Sequence, residues 1–142
     1  KYILRKILVP LDGSKLSEAV LPFATGLAKE TGAEMVLFQV IEPIGIGGFG
    51  NLPPAVTEQY NAVFHTAARD YLEKTKASMV EIHSSISIAT GERPVAERII
   101  DYSETNNCDL IAMSTSGRSG VGRWAFGSVT DKVLHAGKKP VL

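Results

Sequence analysis

The sequence predicts an α/β protein: a single doubly wound, open parallel sheet with helices on both faces. Two observations carry that reading. Short apolar runs with no polar alternation, KILVPL at 6–11 and EMVLFQVI at 34–41, suit strands covered on both sides. Between the runs lie segments whose apolar residues recur at offsets of three, four and seven, the mark of amphipathic helices. The resulting order, β-α-β-α-β-α-β-α-β, implies parallel strands joined by right-handed crossovers.

Asp12, Gly13 and Ser14 end the first strand. The helix after it puts Leu16, Ala19, Val20, Phe23, Ala24, Leu27 and Ala28 on one face; Pro22 interrupts it, and Thr31 and Gly32 close it. The second strand spans 34–41. Residues 42–56 form a Gly/Pro-rich loop longer than a plain βα connection, a length often associated with function. A helix at about 57–80 carries Tyr60, Val63, Phe64, Ala67, Tyr71 and Thr75 on one side. SISIAT at 85–90 alternates apolar and polar residues, as an edge strand does. Gly91 and Pro94 introduce a short helix bearing Val95, Ile99 and Ile100, which Asn106 and Asn107 end. LIAM at 110–113 is the fourth strand, a helix opening at Gly127 and Ser128 presents Val129, Val133 and Leu134, and 140–142 form the fifth strand.

A chain of 142 residues reads as one domain, 1–142, with enough length for a proper core. Fifteen basic residues balance fifteen acidic ones, which argues against a broad electrostatic footprint for nucleic acid or an anionic membrane. No apolar stretch approaches the roughly 20 residues that span a bilayer. The N-terminal segment shows neither an adequate signal-peptide core nor a small-residue cleavage site. The single Cys108 excludes an internal disulfide framework, fits a reducing compartment and reads as a buried structural thiol. The expectation is a soluble, cytoplasmic protein without nucleic-acid or membrane partners.

Around 110–142 the sequence assembles a candidate anion site. A short buried strand leads into a loop holding Ser114, Ser116, Gly117, Ser119, Gly120 and Gly122, and then into the start of a helix. The first N–H groups of a helix lack internal partners, and the dipole places partial positive charge there. Glycines let the backbone approach a phosphate closely, and Arg118 or Arg123 can add donors. The bland alternative is a surface turn with an ordinary serine N-cap. In open α/β sheets ligands bind beyond the carboxyl ends of the strands where the winding reverses. With the strands laid as 3-2-1-4-5, that point falls between strands one and four, so Asp12 and the 114–120 loop converge. A carboxylate repels phosphate, which assigns Asp12 to the ribose or adenine end of a nucleotide; its alternative is to cap the first helix. Val40, at the end of strand two, either walls the base or is a core valine.

Other motifs fail. Gly45, Gly47 and Gly50 match G-x-G-x-x-G after a strand, but Pro53 and Pro54 follow and no helix opens there; Asp70, about 20 residues on, falls within a helix. No Gly-Lys-Ser/Thr occurs, so the P-loop lysine is missing, and no Gly-x-Ser-x-Gly elbow is present. His65, His83 and His135 lack metal-ligand spacing.

KILVPLDGSKLSEAVLPFATGLAKETGAEMVLFQVIEP at the start and LIAMSTSGRSGVGRWAFGSVTDKVLHAGKKPVL at the end resemble the universal stress protein family, an adenine nucleotide alpha hydrolase-like domain, across essentially the whole chain. Its ATP-binding members carry G-2x-G-9x-G-[ST]. Gly117, the nine residues after it and Gly127–Ser128 match, while Ser114 stands at the first glycine. The resemblance implies a five-stranded sheet ordered 3-2-1-4-5 and a cytoplasmic ATP-binding (or AMP- or ADP-binding) stress-response sensor or adaptor. It implies contacts from Asp12 to ribose or adenine, and Pro10, Val40 and Met113 around the base. Ser114 holds the first position of the phosphate motif, and Gly117, Arg118, Gly127, Ser128 and Val129 supply phosphate contacts. Mg2+ or Mn2+ would bridge the phosphates, since no carboxylate cluster is available for a metal. A homodimer would form through the last strand, 139–142, removing an exposed edge. Slow ATP hydrolysis or autophosphorylation occurs in such families, but no general base is identifiable here and no catalytic residue is assigned. Gly117 and Gly127–Ser128 favour this reading over two alternatives: a stress-response dimer acting through protein contacts without ATP, for which Ser114 leaves room, and, ranked last, a nucleotide-hydrolysing enzyme on the same scaffold.

Overall fold

In a computed structural model that describes residues 4–41, 53–91, 93–114 and 132–133, the first apolar run becomes β1, Lys6–Pro10, and lies inside the sheet. It pairs in parallel with β2, Glu34–Ile41, on one side and with β4, Leu110–Ile111, on the other; β2 pairs in parallel with β3, Ser84–Thr90. Leu8 therefore faces Val36 on one flank and Ile111 on the other. The order is β3-β2-β1-β4. Four strands, not five, are present among the described residues; the fifth, expected at 140–142, falls outside them. Every residue of β1 and β2 after the first is buried, which is why both strands read as unbroken apolar runs. β3, half-buried along nearly its whole length, lies at the sheet edge, as its alternation predicts.

The two sides of the sheet carry separate cores. Leu8, Val36, Phe38 and Val40 pack with Val95, Ala96, Ile99 and Ile100 of helix α4, Val95–Thr105, and with Met113 and the helical Val133. The alternate positions Ile7, Val9, Leu11, Met35 and Leu37 pack with Ala24 and Ala28 on one helix and Leu72 on another. Helices thus cover both faces, as the doubly wound class requires. Cys108 is fully buried.

Three details differ from the sequence reading. The first helix is two: α1, Lys15–Glu18, and α2, Leu21–Thr31. Pro22 has no N–H to donate to Glu18 and its ring crowds that carbonyl, so it is accommodated only in the first turn of a new helix. The separation leaves Ala19 exposed and Phe23 71% exposed, while Val20, Ala24 and Ala28 keep the buried face. Gly32 ends α2 with φ +77°, the left-handed cap that glycine accepts without penalty. The third difference is in α3, Pro54–Ala77, whose fully buried residues are Ala68 and Leu72. Phe64, Tyr71 and Thr75 are partly covered, but Tyr60 and Val63 are 50% and 64% exposed, and Ala67 is exposed too. Among the described residues no helix is long and apolar enough to cross a membrane.

Candidate functional site

The winding reverses at β1, whose neighbours are β2 and β4, so the crevice expected in this fold class opens at the carboxyl ends of β1 and β4. Pro10 is the last residue of β1 and is buried. Leu11 continues the ladder by donating its N–H to the carbonyl of Phe38 at 2.8 Å. The chain then turns through Asp12 and through Gly13 at φ +89°, a conformation that favours glycine.

Asp12 is only 3% exposed. A buried carboxylate is costly unless donors surround it, and this loop supplies them. The N–H of Ser14 donates to Asp12 Oδ1 at 2.9 Å, and the Ser14 hydroxyl donates to the same oxygen at 2.6 Å. Ser14 Oγ in turn accepts the N–H of Ser17 at 3.1 Å. Ser17 is fully buried; its hydroxyl donates to the Ser14 carbonyl at 2.8 Å and accepts the Asp12 N–H at 3.3 Å. The bonds form a closed ring through Asp12, Ser14 and Ser17. They also decide which residue caps α1: Ser14, in an extended conformation, is the N-cap. The alternative of Asp12 as the cap is thereby corrected, since its carboxylate supports the capping serine.

Ser114, three residues past β4, reaches the same place. Its hydroxyl donates to the carbonyl of Ser17 at 3.4 Å, a long contact that links the β4 end to α1 across the crevice. Asp12 and Ser114, distant in sequence, therefore meet around Ser17. Val40 and Met113 are 6% and 2% exposed and belong to one core cluster beneath the crevice, with Leu8 and Phe38. Gly117, Arg118, Arg123, Gly127, Ser128 and Val129 lie outside the described residues, as does most of the long loop at 42–56. Among the described residues no group of three or more His, Cys, Asp or Glu side chains could hold a metal ion.

Behind the ring, Tyr71 of α3 donates its hydroxyl to Glu18 Oε2 at 2.5 Å, tying α1 to the helix that covers that side of the sheet. Burial is the main influence holding the Tyr71 phenol well above its ordinary range; the Glu18 bond and charge and the nearby Asp12 charge act in the same direction. Sequence reasoning places Tyr71 on an apolar stripe and misses this bond; it passes over Ser14 and Ser17 as turn residues, because hydroxyls at helix starts are commonplace. It also misses Gln39, which is 9% exposed on β2 and whose Oε1 has no hydrogen-bond partner among the described residues.

What this arrangement can do chemically is accept hydrogen bonds from a polar ligand at a fixed carboxylate, beside the apolar core that Val40 and Met113 join. A ribose hydroxyl or an adenine amino group fits such an acceptor; a phosphate does not.

A model of the universal stress protein family matches residues 4–142. A universal stress protein of Methanocaldococcus jannaschii is 30% identical over 139 residues, a match covering 97% of this chain and 80% of the relative. The solved structure of a second protein from that organism shares the fold at a TM-score of 0.80 and 24% identity, covering 99% of this chain and 95% of the other. The universal stress protein of Archaeoglobus fulgidus, solved in complex with dAMP, shares it at a TM-score of 0.59 and 20% identity over 99% and 98% of the two chains.

Proposed function

This chain belongs to the universal stress protein family, and from that premise we propose that it binds an adenine nucleotide, ATP first, as a stress-response sensor or adaptor in the cytoplasm. The observation that carries the reading is the buried Asp12 carboxylate, locked by Ser14 at the carboxyl end of β1 and facing the end of β4 where the 114-117-127-128 pattern begins. The dAMP complex of the Archaeoglobus fulgidus protein supports an adenine nucleotide as the ligand class.

In this reading Asp12 accepts hydrogen bonds from ribose hydroxyls or the adenine amino group, and its charge keeps the phosphates away from β1. Pro10, Val40 and Met113 border the base. Ser114, Gly117, Arg118, Gly127, Ser128 and Val129 hold the phosphate tail through backbone N–H groups, hydroxyls and one guanidinium. Mg2+ or Mn2+ supplies charge neutralisation between the phosphates when bound. Binding, rather than turnover, is the activity assigned. Two copies pair through the strand at 139–142, so that nucleotide occupancy in each crevice is presented on a dimer.

One observation favours a second reading. The Ser114 hydroxyl stands where the ATP-binding pattern has glycine and bonds to the Ser17 carbonyl. A dimer acting through protein contacts alone, with the crevice held shut by that bond, is the outcome if ATP does not bind. A thermal-shift titration separates the two. ATP with Mg2+ at a hundred times its dissociation constant stabilises by about 2.7 kcal/mol, a rise of roughly 5–10 °C for a domain of this size. Gly127→Val abolishes the rise by crowding the phosphate motif, and Gly48→Ala in the long loop leaves it intact. No rise at millimolar ATP selects the second reading.

A further inference from the structure

We propose that Ser14 and Ser17 are positioning residues for nucleoside recognition: Ser14 fixes the Asp12 carboxylate through its hydroxyl and N–H, and Ser17 holds Ser14 and the Asp12 main chain in place and, through its carbonyl, ties them to the end of β4. The inference rests on the adenine-nucleotide reading and deepens it, because it names the side chains that make Asp12 a rigid acceptor rather than a mobile one.

Three features support it. The ring is closed, so neither serine can leave its position without breaking a bond that involves Asp12. Losing the Ser14 hydroxyl removes one of two donors to Oδ1 and also the acceptor for the Ser17 N–H. Losing the Ser17 hydroxyl removes the partner of the Asp12 N–H and the donor to the Ser14 carbonyl. The second feature is burial. Ser17 has no exposed surface, so water cannot replace its hydroxyl in those bonds, and an alanine there leaves the Asp12 N–H and the Ser14 carbonyl to find other partners. The third is reach. The Ser17 carbonyl accepts the Ser114 hydroxyl, so one residue is bonded to both walls of the crevice and sets their separation. Binding energy depends on such preorganisation, since an acceptor already held in place loses little freedom when the ligand arrives.

The test is a double-mutant cycle on the full chain, read as the dissociation constant for ATP with Mg2+. Ser17→Ala and Ser14→Ala each weaken ATP binding roughly tenfold, within the range of couplings between residues in one network. Asp12→Ala weakens it at least as much, and adding Ser17→Ala to Asp12→Ala changes it less than about twofold, because no carboxylate then remains for the ring to position, although the residue-12 N–H still bonds Ser17. Ser14→Thr, which keeps the hydroxyl at a half-buried position, retains wild-type affinity. The thermal midpoint of each ligand-free variant is recorded alongside. Should Ser17→Ala fail to fold, the Ser14 variants carry the same cycle. The proposal is overturned if the serine and aspartate losses multiply, if Ser14→Ala binds ATP as the wild type does, or if Ser14→Thr loses as much as Ser14→Ala. Wild-type protein that binds no ATP overturns the functional reading itself, and with it this inference; a wild type that binds with an additive cycle overturns the inference alone.

Discussion

Two aspartates stand at opposite ends of the same pair of strands. Asp109 lies just ahead of β4, where its Oδ2 accepts the N–H groups of Arg5 and Lys6 at 2.9 and 3.1 Å, while its own N–H donates to the Lys6 carbonyl at 2.8 Å. Lys6 Nζ reaches the Asn106 carbonyl at 3.1 Å in the same place. Those contacts join segments about a hundred residues apart and fasten the start of β1 to the turn before β4. Asp12, past the other end of β1, accepts both of its Oδ1 bonds from Ser14, two residues on. A bond that closes a long stretch of chain resists global unfolding; a bond between near neighbours mostly orders its own loop. Asp12 is nevertheless the more deeply buried of the two. Its two Oδ1 bonds order the loop at the carboxyl end of β1, where this fold class binds its ligands.

The largest expected effect separates the two ends by stability. Asp109→Ala deprives two backbone N–H groups of a charged acceptor and lowers the unfolding free energy by about 2 kcal/mol, a fall of roughly 5–10 °C in Tm. The affinity for ATP stays as in the wild type. Asp12→Ala shows the reverse: ATP binding weakens by about 1.4 kcal/mol or more, at least tenfold, while urea denaturation reports a loss under about 1 kcal/mol. Equal stability losses in the two variants would break the comparison.

Next comes a buried polar group toward the carboxyl end of the sheet. Gln39 lies on β2 between Leu11, just past β1, and Ile88 of β3, with its Oε1 buried and without a hydrogen-bond partner among the described residues. Leaving a polar atom in that state costs free energy that an apolar side chain does not incur. Gln39→Leu therefore raises stability by about 1 kcal/mol, visible as a higher midpoint in urea. ATP affinity is unaffected, which would show that burial of a polar group near the crevice does not by itself mark a binding residue. A Gln39→Leu protein that loses ATP affinity would add Gln39 to the site.

How much of this could be read from the sequence follows from the same geometry. β2 was legible to the residue, because a strand covered on both faces leaves an apolar run and nothing else does so at that length. The face of α4 was legible at Val95, Ile99 and Ile100, which follow the helical period; Ala96 and Ser103, small residues that carry no such signal, complete the buried set. The face of α3 was not. Its 24 residues span about 36 Å, whereas the 8 residues of β2 span about 26 Å. The helix is therefore longer than the strand it covers; its buried residues, Ala68 and Leu72, fall in its second half, and Tyr60 and Val63 in its first half are apolar without being core. In the candidate site, Asp12 was legible from its place after a strand. Ser14 and Ser17 were not, since the role of a small hydroxyl depends on a ring that closes only in three dimensions. The phosphate side of the motif, from Gly117 to Val129, lies outside the described residues and remains a sequence-level assignment.

The smallest effect concerns how the Asp12 end is anchored at long range, which its own bonds to Ser14 do not do. That part is shared by the Ser114–Ser17 contact and by Tyr71 and Glu18, whose bond spans α3 and α1. The Tyr71 phenol is held above its ordinary range, chiefly by burial and then by Glu18, so the folded chain keeps that proton more tightly than the unfolded chain does. The sign of the pH effect follows. The contribution is complete below the unfolded value near pH 10 and is lost as pH rises above it, since only the unfolded state then releases the proton freely. Tyr71→Phe costs about 0.5 kcal/mol at neutral pH, the scale of a single partly exposed hydrogen bond. It also flattens the alkaline fall in stability. The measured quantity is the difference between wild type and variant in urea midpoint from pH 8 to about pH 11, in which everything the two proteins share cancels. That difference shrinks toward zero and then reverses sign as pH rises. Curves that stay parallel through this window would show that the folded chain does not hold the Tyr71 proton more tightly than the unfolded chain, leaving the Ser114–Ser17 contact as the tie between the Asp12 loop and a distant element.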